Sequence, residues 1–217
     1  MPKEKIVFLD IDTQVDFMHP HGALYVPQAE QIIPKLDELM NFARQERILV
    51  LSTADAHPAN DPSFAEWPPH CVIGTSGQKR IPQTSFTLPR VIRNIPGDFQ
   101  PPVERSGQMI IEKTDYDVTR NPNFGALLKS IGRCRVVAFG VATDYCVKAS
   151  VLSLRKLGVP VDLVQDAVRG VNEEASRKAI NEMVEADVRL VTTAQVIASM
   201  AQPPMVFVAR HSPAALR

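Results

Sequence analysis

Apolar positions along this chain gather into short unbroken runs, separated by longer stretches of helical period. The runs are Ile6 to Ile11, Arg47 to Thr53, Gln108 to Glu112, Val136 to Phe139, Val159 to Val164 and Val188 to Val191. They are rich in β-formers and too short for helices, so they read as strands buried on both faces. Between them, Ala29 to Gln45 places Ile32, Ile33, Leu36, Leu39, Met40 and Ala43 at helical spacing. Asn123 to Ile131, Thr143 to about Leu157, Asn172 to Glu185 and Thr193 to Met200 read as further helices, with Asn172 as a cap and Gly158 as a stop. Strands alternating with helices predict an α/β fold. The expected form is a doubly wound, six-stranded, mostly parallel sheet with helices on both faces.

One stretch breaks the alternation. From His57 to about Ser106, prolines recur at 58, 62, 68, 69, 82, 89, 96, 101 and 102, and no long helical period survives. A segment of that length without regular structure is usually functional in a compact domain. It reads as a loop excursion (57–106) over the active-site face, holding at most a small hairpin. The expected organisation is one domain, 1–202, followed by a tail, 203–217, after the break at Pro203 and Pro204.

Composition narrows the partners. The chain has 217 residues, 45% of them apolar, with 24 basic and 24 acidic side chains. That length suits one large core, and the even balance of charge gives no reason to expect nucleic acid or an anionic membrane. No apolar run approaches the roughly 20 residues of a spanning helix. Cys71, Cys134 and Cys146 are odd in number and widely spaced, which fits a reducing cytoplasm better than a disulfide framework. Oligomeric state is left open, a homo-oligomer included.

Candidate chemistry collects where strands end. In open parallel sheets ligands bind outside the carboxyl edge. Asp12 ends the first run, Asp55 the second and Lys113 the third, and Cys146 lies just beyond the fourth at the start of a helix. A thiol there meets unpaired N–H groups and the positive end of the helix dipole, which favour thiolate and can hold an oxyanion. A thiol nucleophile needs a base, and a carboxylate in a partly buried cleft, Asp12, can serve. Lys113 would stabilise both anions. Asp55-Ala56-His57 puts two ligand types on one side of a strand end, and His70 follows 13 residues later. Three such donors describe a metal site, Zn²⁺ first, with Fe²⁺ or Mn²⁺ as alternatives.

The blocks Asp12-Thr13-Gln14-Val15-Asp16-Phe17, Asp55-Ala56-His57, Trp67-Pro68-Pro69-His70-Cys71-Val72, Lys113 and Gly140-Val141-Ala142-Thr143-Asp144-Tyr145-Cys146-Val147 resemble the nicotinamidase/pyrazinamidase branch of the isochorismatase-like cysteine hydrolases. The likeness spans residues 6 to about 197. It implies a triad of Asp12, Lys113 and Cys146, and an oxyanion site from the N–H groups of Ala142 and Cys146 beside a cis Val141–Ala142 peptide. It implies a metal on Asp55, His57 and His70 that takes the pyridine nitrogen of a small-molecule amide substrate. Phe17, Trp67, Tyr116 and Val141 would border that substrate. The activity implied is hydrolysis of nicotinamide to nicotinate and ammonia, a step of NAD salvage, through a cysteine thioester. Another small amide or ureide, such as maleamate or an N-carbamoyl compound, is the alternative. Some relatives carry a further metal histidine where this chain has Ser63, and others a glutamate before the last histidine, where Glu66 stands. The fourth ligand is therefore Glu66, Ser63 through water, or water alone.

Overall fold

The computed structural model describes residues 5–201; the tail predicted at 203–217 lies outside them. Seven strands form one sheet: β1 (Lys5–Ile11), β2 (Leu49–Asp55), β3 (Arg90–Ile92), β4 (Gly107–Lys113), β5 (Cys134–Val141), β6 (Val161–Arg169) and β7 (Arg189–Val191). Their order is β3-β4-β2-β1-β5-β6-β7, and every strand pair is parallel. The sheet therefore has one strand more than the six predicted. The addition, β3, lies inside the proline-rich stretch and pairs in parallel with β4 as the sheet edge, so no hairpin forms there. Three residues carry too little pattern to show a period, and Val91 faces outward.

The helices are α1 (Val15–Met18), α2 (Ile33–Gln45), α3 (Phe124–Ile131), α4 (Lys148–Lys156), α5 (Glu173–Glu185) and α6 (Thr193–Ala201). Side chains alternate across a strand, so β1 feeds two cores. Val7, Leu9 and Ile11 pack with Leu127 of α3, Val151 and Leu154 of α4 and Met183 of α5. Phe8 faces the other way, towards Leu36, Leu39 and Met40 of α2 and Val196 of α6. Helices thus cover both faces, as the doubly wound reading requires. Helix α2 begins one turn later than the apolar period suggests. Ala29–Ile32 is a 3₁₀ turn, and Pro34, which has no N–H to leave unpaired, sits in the first helical turn.

The order in which the chain adds strands reverses between β1 and β5, and there the backbones crowd. Gly140 near the end of β5 has φ +116°, and a Cβ at that position would stand 2.1 Å from the Ile11 carbonyl oxygen. Gly140→Ala therefore meets backbone strain and overlap together. Its unfolding free energy should fall by about 2–6 kcal/mol, read as an earlier denaturant midpoint by circular dichroism. An unchanged midpoint would mean the two strands can separate at no cost. Among the described residues, no helix is long and apolar enough to cross a membrane.

Candidate active site

The four strand-end residues singled out in the sequence belong to four strands that are neighbours in space, in the order β4, β2, β1, β5. Lys113 and Asp55 close their strands side by side in register. Asp12 follows β1 with φ +49°, which turns the chain sharply off the sheet. Its N–H donates to Thr53 Oγ1 at 3.1 Å, and the same hydroxyl donates to Asp12 Oδ1 at 2.6 Å. Lys113 Nζ lies 2.8 Å from Asp12 Oδ2, pairs with Asp55 Oδ1, and is 3.7 Å from Cys146 Sγ. All four residues are buried.

Burial dominates the electrostatics. It pushes the Asp12 carboxyl above its ordinary range, and the Asp55 charge adds to this while the Lys113 ammonium opposes it. Burial would also raise Asp55, but Lys113 and hydrogen bonds from His57 and His70 hold that carboxyl low. Lys113 itself, which burial alone would neutralise, is kept charged by the carboxylates of Asp12 and Asp55. The Cys146 thiol is pushed well up, by burial first, with Lys113 opposing and Asp12 and Asp55 adding to the rise. This corrects the expectation of a thiolate at a helix start. Cys146 lies in a π-helical turn, Thr143–Val147, ahead of α4, and low dielectric with two nearby carboxylates outweighs the dipole. Burial thus works against the thiolate here.

Asp55 also faces the other way. Its Oδ2 is 3.7 Å from His57 Nε2 and 3.8 Å from His70 Nε2, and one donor atom from each of the three residues lies within 4.8 Å of the others. The outer ring nitrogens are already engaged: His57 Nδ1 is 3.0 Å from Asp61 Oδ2, and His70 Nδ1 is 2.8 Å from the Pro68 carbonyl. Histidine ligands are usually oriented in this way, by an acceptor on the ring nitrogen away from the metal. Two inward imidazoles and one carboxylate fit a divalent ion. Ser63 and Glu66 line a second cavity beside this group together with Thr114 and Asp115. The Ser63 hydroxyl is tied to Asp61 at 2.6 Å.

On the thiol side, a cavity of about 80 Å³ is lined by Phe17, Trp67, Tyr116, Tyr145, Ala142 and Cys146, with Asp55 and His70 at the metal end. Trp67 Nε1 donates to Tyr116 Oη at 2.9 Å, and both rings lie 5.5 Å from Tyr145. Val141 is placed differently from the other expected substrate contacts. Its side chain is fully buried in the α2-side core, and only its peptide to Ala142, which is cis, reaches the site.

Several buried polar residues of the matching blocks brace the site in ways the sequence did not assign. Gln14 clamps the Asp55 main chain, accepting from its N–H at 2.7 Å and donating to its carbonyl at 2.8 Å. Asp16 accepts from the N–H groups of Ala23 and Cys71, which fixes the peptide next to His70. Asp144 accepts from the N–H groups of Val171 and Asn172, holding the β6–α5 link against the π-helical turn. A neighbouring segment, 77–81, covers Gln14 and Asp16. What marks them is the capacity to bond backbone, and that shows only once the partner segments are in place.

Comparison with known proteins gives the family. The isochorismatase domain model matches residues 7–195. Nicotinamidase of Escherichia coli (strain K12) is 27% identical over 215 residues, covering 89% of this chain and 97% of the relative. Among solved structures, pyrazinamidase of Pyrococcus horikoshii in complex with zinc superposes with a TM-score of 0.72 at 32% identity, covering 87% of this chain and 99% of that one. A structure from L. infantum in complex with nicotinate gives 0.72 at 26% identity, covering 88% and 94%. The chain belongs to the isochorismatase family, among relatives of its nicotinamidase/pyrazinamidase branch.

Proposed function

We propose that this protein hydrolyses nicotinamide to nicotinate and ammonia through a thioester on Cys146. The observation that carries this reading is the convergence of Asp12, Lys113 and Cys146 at the floor of an aromatic cavity whose far end is the Asp55, His57 and His70 group. Asp12, with its raised pKa, takes the thiol proton as Sγ attacks the amide carbon. The N–H groups of Ala142 and Cys146 hold the oxyanion. Asp12 returns the proton to the departing nitrogen, so ammonia leaves and the acyl group stays on sulfur. Water then attacks the thioester, Asp12 accepts its proton, and nicotinate leaves as the thiol is restored. Lys113 stays charged throughout and balances the negative charge that passes between Asp12 and sulfur.

Asp55, His57 and His70 would hold a divalent ion, Zn²⁺ by donor set, with Glu66 or a water completing it. When bound, that ion supplies a Lewis acid for a ring nitrogen. Phe17, Trp67 and Tyr116 border the ring of the amide. Among the described residues, none that lines the cavity is lysine or arginine, and Lys113 beneath it is already paired with Asp12 and Asp55, so a substrate carboxylate would meet no unpaired basic side chain, which disfavours maleamate and N-carbamoyl amino acids.

Ammonia release from nicotinamide, pyrazinamide, maleamate and an N-carbamoyl amino acid tests the proposal. Both pyridine-type amides should turn over, and the two acids should be at least about tenfold slower in kcat/KM. Chelation followed by desalting should lower nicotinamide turnover at least about tenfold, with recovery on adding Zn²⁺. Faster turnover of either acid, or full activity in metal-free protein, would overturn the substrate assignment.

A further inference from the structure

We infer that Thr53 is a positioning residue that fixes which oxygen of Asp12 exchanges the proton with Cys146; the inference rests on the role proposed for Asp12. Thr53 is fully buried near the end of β2, and its hydroxyl faces Asp12 from the neighbouring strand. A threonine hydroxyl has one proton and two lone pairs. The Asp12 N–H donates to Oγ1 at 3.1 Å, which occupies a lone pair, and the one hydroxyl proton goes to Asp12 Oδ1 at 2.6 Å. Neither bond can be exchanged for another without leaving a buried donor unpaired.

The consequence is chemical. The Thr53 bond ties Oδ1 to the neighbouring strand, so Oδ2, beside the Lys113 Nζ that also reaches Cys146 Sγ, is the oxygen turned towards the thiol to receive and return a proton. Without that bond the carboxyl group can rotate about its last torsion and store the proton on the oxygen away from sulfur. Threonine suits the task because its branched side chain is stiff in a strand. The main chain of Thr53 is braced as well. Its carbonyl accepts from Arg80 Nη1 at 3.0 Å, and Arg80 is itself ion-paired to buried Asp10 and donates to Thr13 Oγ1 at 2.6 Å. The segment carrying Arg80 runs alongside the turn after Asp12, with Gln14 and Arg80 bridged antiparallel. A buried charge pair under the sheet edge thus holds the hydroxyl in place.

Thr53→Val removes the hydroxyl at nearly constant volume. With nicotinamide it should lower kcat about 10- to 100-fold, part of what a general base supplies, with KM within about threefold of the parent. Thr53→Ser, which restores the hydroxyl, should return kcat to within about threefold. If Thr53→Val fails to fold, Thr53→Ala is judged by the same criteria. Alkylation of Cys146 by iodoacetamide reads the same arrangement without any substrate: the valine variant should react several-fold more slowly than the parent and the serine variant should not. If the parent releases no ammonia from nicotinamide, the functional reading fails and the alkylation series still decides on Thr53. Parent-like kcat and alkylation in Thr53→Val overturn the inference. So does a serine variant as slow as the valine one, which would assign the effect to the lost methyl group.

Discussion

Cys146→Ala protein should release no measurable ammonia from nicotinamide, a loss of at least about 10⁴-fold, while melting within a few degrees of the parent. The nucleophile is the one group that the rest of the site cannot replace. Without sulfur, the amide carbon faces only water, and Asp12, Lys113 and the N–H donors polarise a bond that nothing attacks. Stability should barely change, because Cys146 borders a cavity, so removing its sulfur enlarges an existing space. The buried thiol adds a second expectation. On the proposed mechanism, a thiol that burial holds above its ordinary range gives up its proton as Asp12 receives it. Iodoacetamide should label the free protein slowly near pH 7, at Cys146 before the more deeply buried Cys71. Rapid quenching during turnover should show an acyl adduct on the Cys146 peptide by mass. Ammonia release by Cys146→Ala, or an adduct elsewhere, would remove the thiol from the mechanism.

How much of this was legible follows from where each residue sits. Asp12, Asp55, Lys113 and Cys146 stand out because each follows an apolar run. A buried parallel strand has few reasons to end in a charge or thiol unless its carboxyl edge does chemistry. Sequence order does not reveal that those four strands are neighbours, yet the alternation of strand and helix made a single sheet with a shared edge the expected outcome. Asp55, His57 and His70 were legible by donor type and spacing, and the fold brings them within ligand range of one another.

The roles of Thr53, Asp61 and Gln14 were not legible, for a common reason. A threonine in an apolar run reads as a β-former, an aspartate between Asn60 and Pro62 reads as a turn, and a glutamine after a strand reads as solvated. Their roles arise from contacts across the chain: Thr53 meets Asp12 at a separation of 41 residues, as Gln14 meets Asp55. Strand β3 was hidden by the prolines around it. Local helix geometry argues for thiolate, whereas the burial of Cys146 that opposes it depends on the whole fold.

Lys113→Met should be the most destabilising single change at the site. The ammonium sits between two buried carboxylates, 2.8 Å from Asp12 and paired with Asp55. Methionine keeps the volume and removes the charge. Taking one partner from a buried pair typically costs about 3–5 kcal/mol, because the remaining charge has neither water nor a counter-ion. For a chain of this size that is a fall of about 6–20 °C in melting temperature. The sign of the pH dependence follows. Lys113 lowers the pKa of both Asp12 and Asp55, so its loss raises both in the folded state. A carboxyl whose folded pKa lies above its unfolded value loses stability as pH rises through that interval and regains it as pH falls. The deficit of Lys113→Met should therefore narrow between about pH 7 and about pH 5. Adding Asp12→Asn removes one of the stranded charges and should recover part of the loss, a coupling of about 0.5–3 kcal/mol in a double-mutant cycle. Activity should not return with stability, since the double variant lacks both the base and the cation. A Lys113→Met protein that melts with the parent, or whose deficit widens as pH falls, would show that the two carboxylates do not depend on this ammonium for their charge.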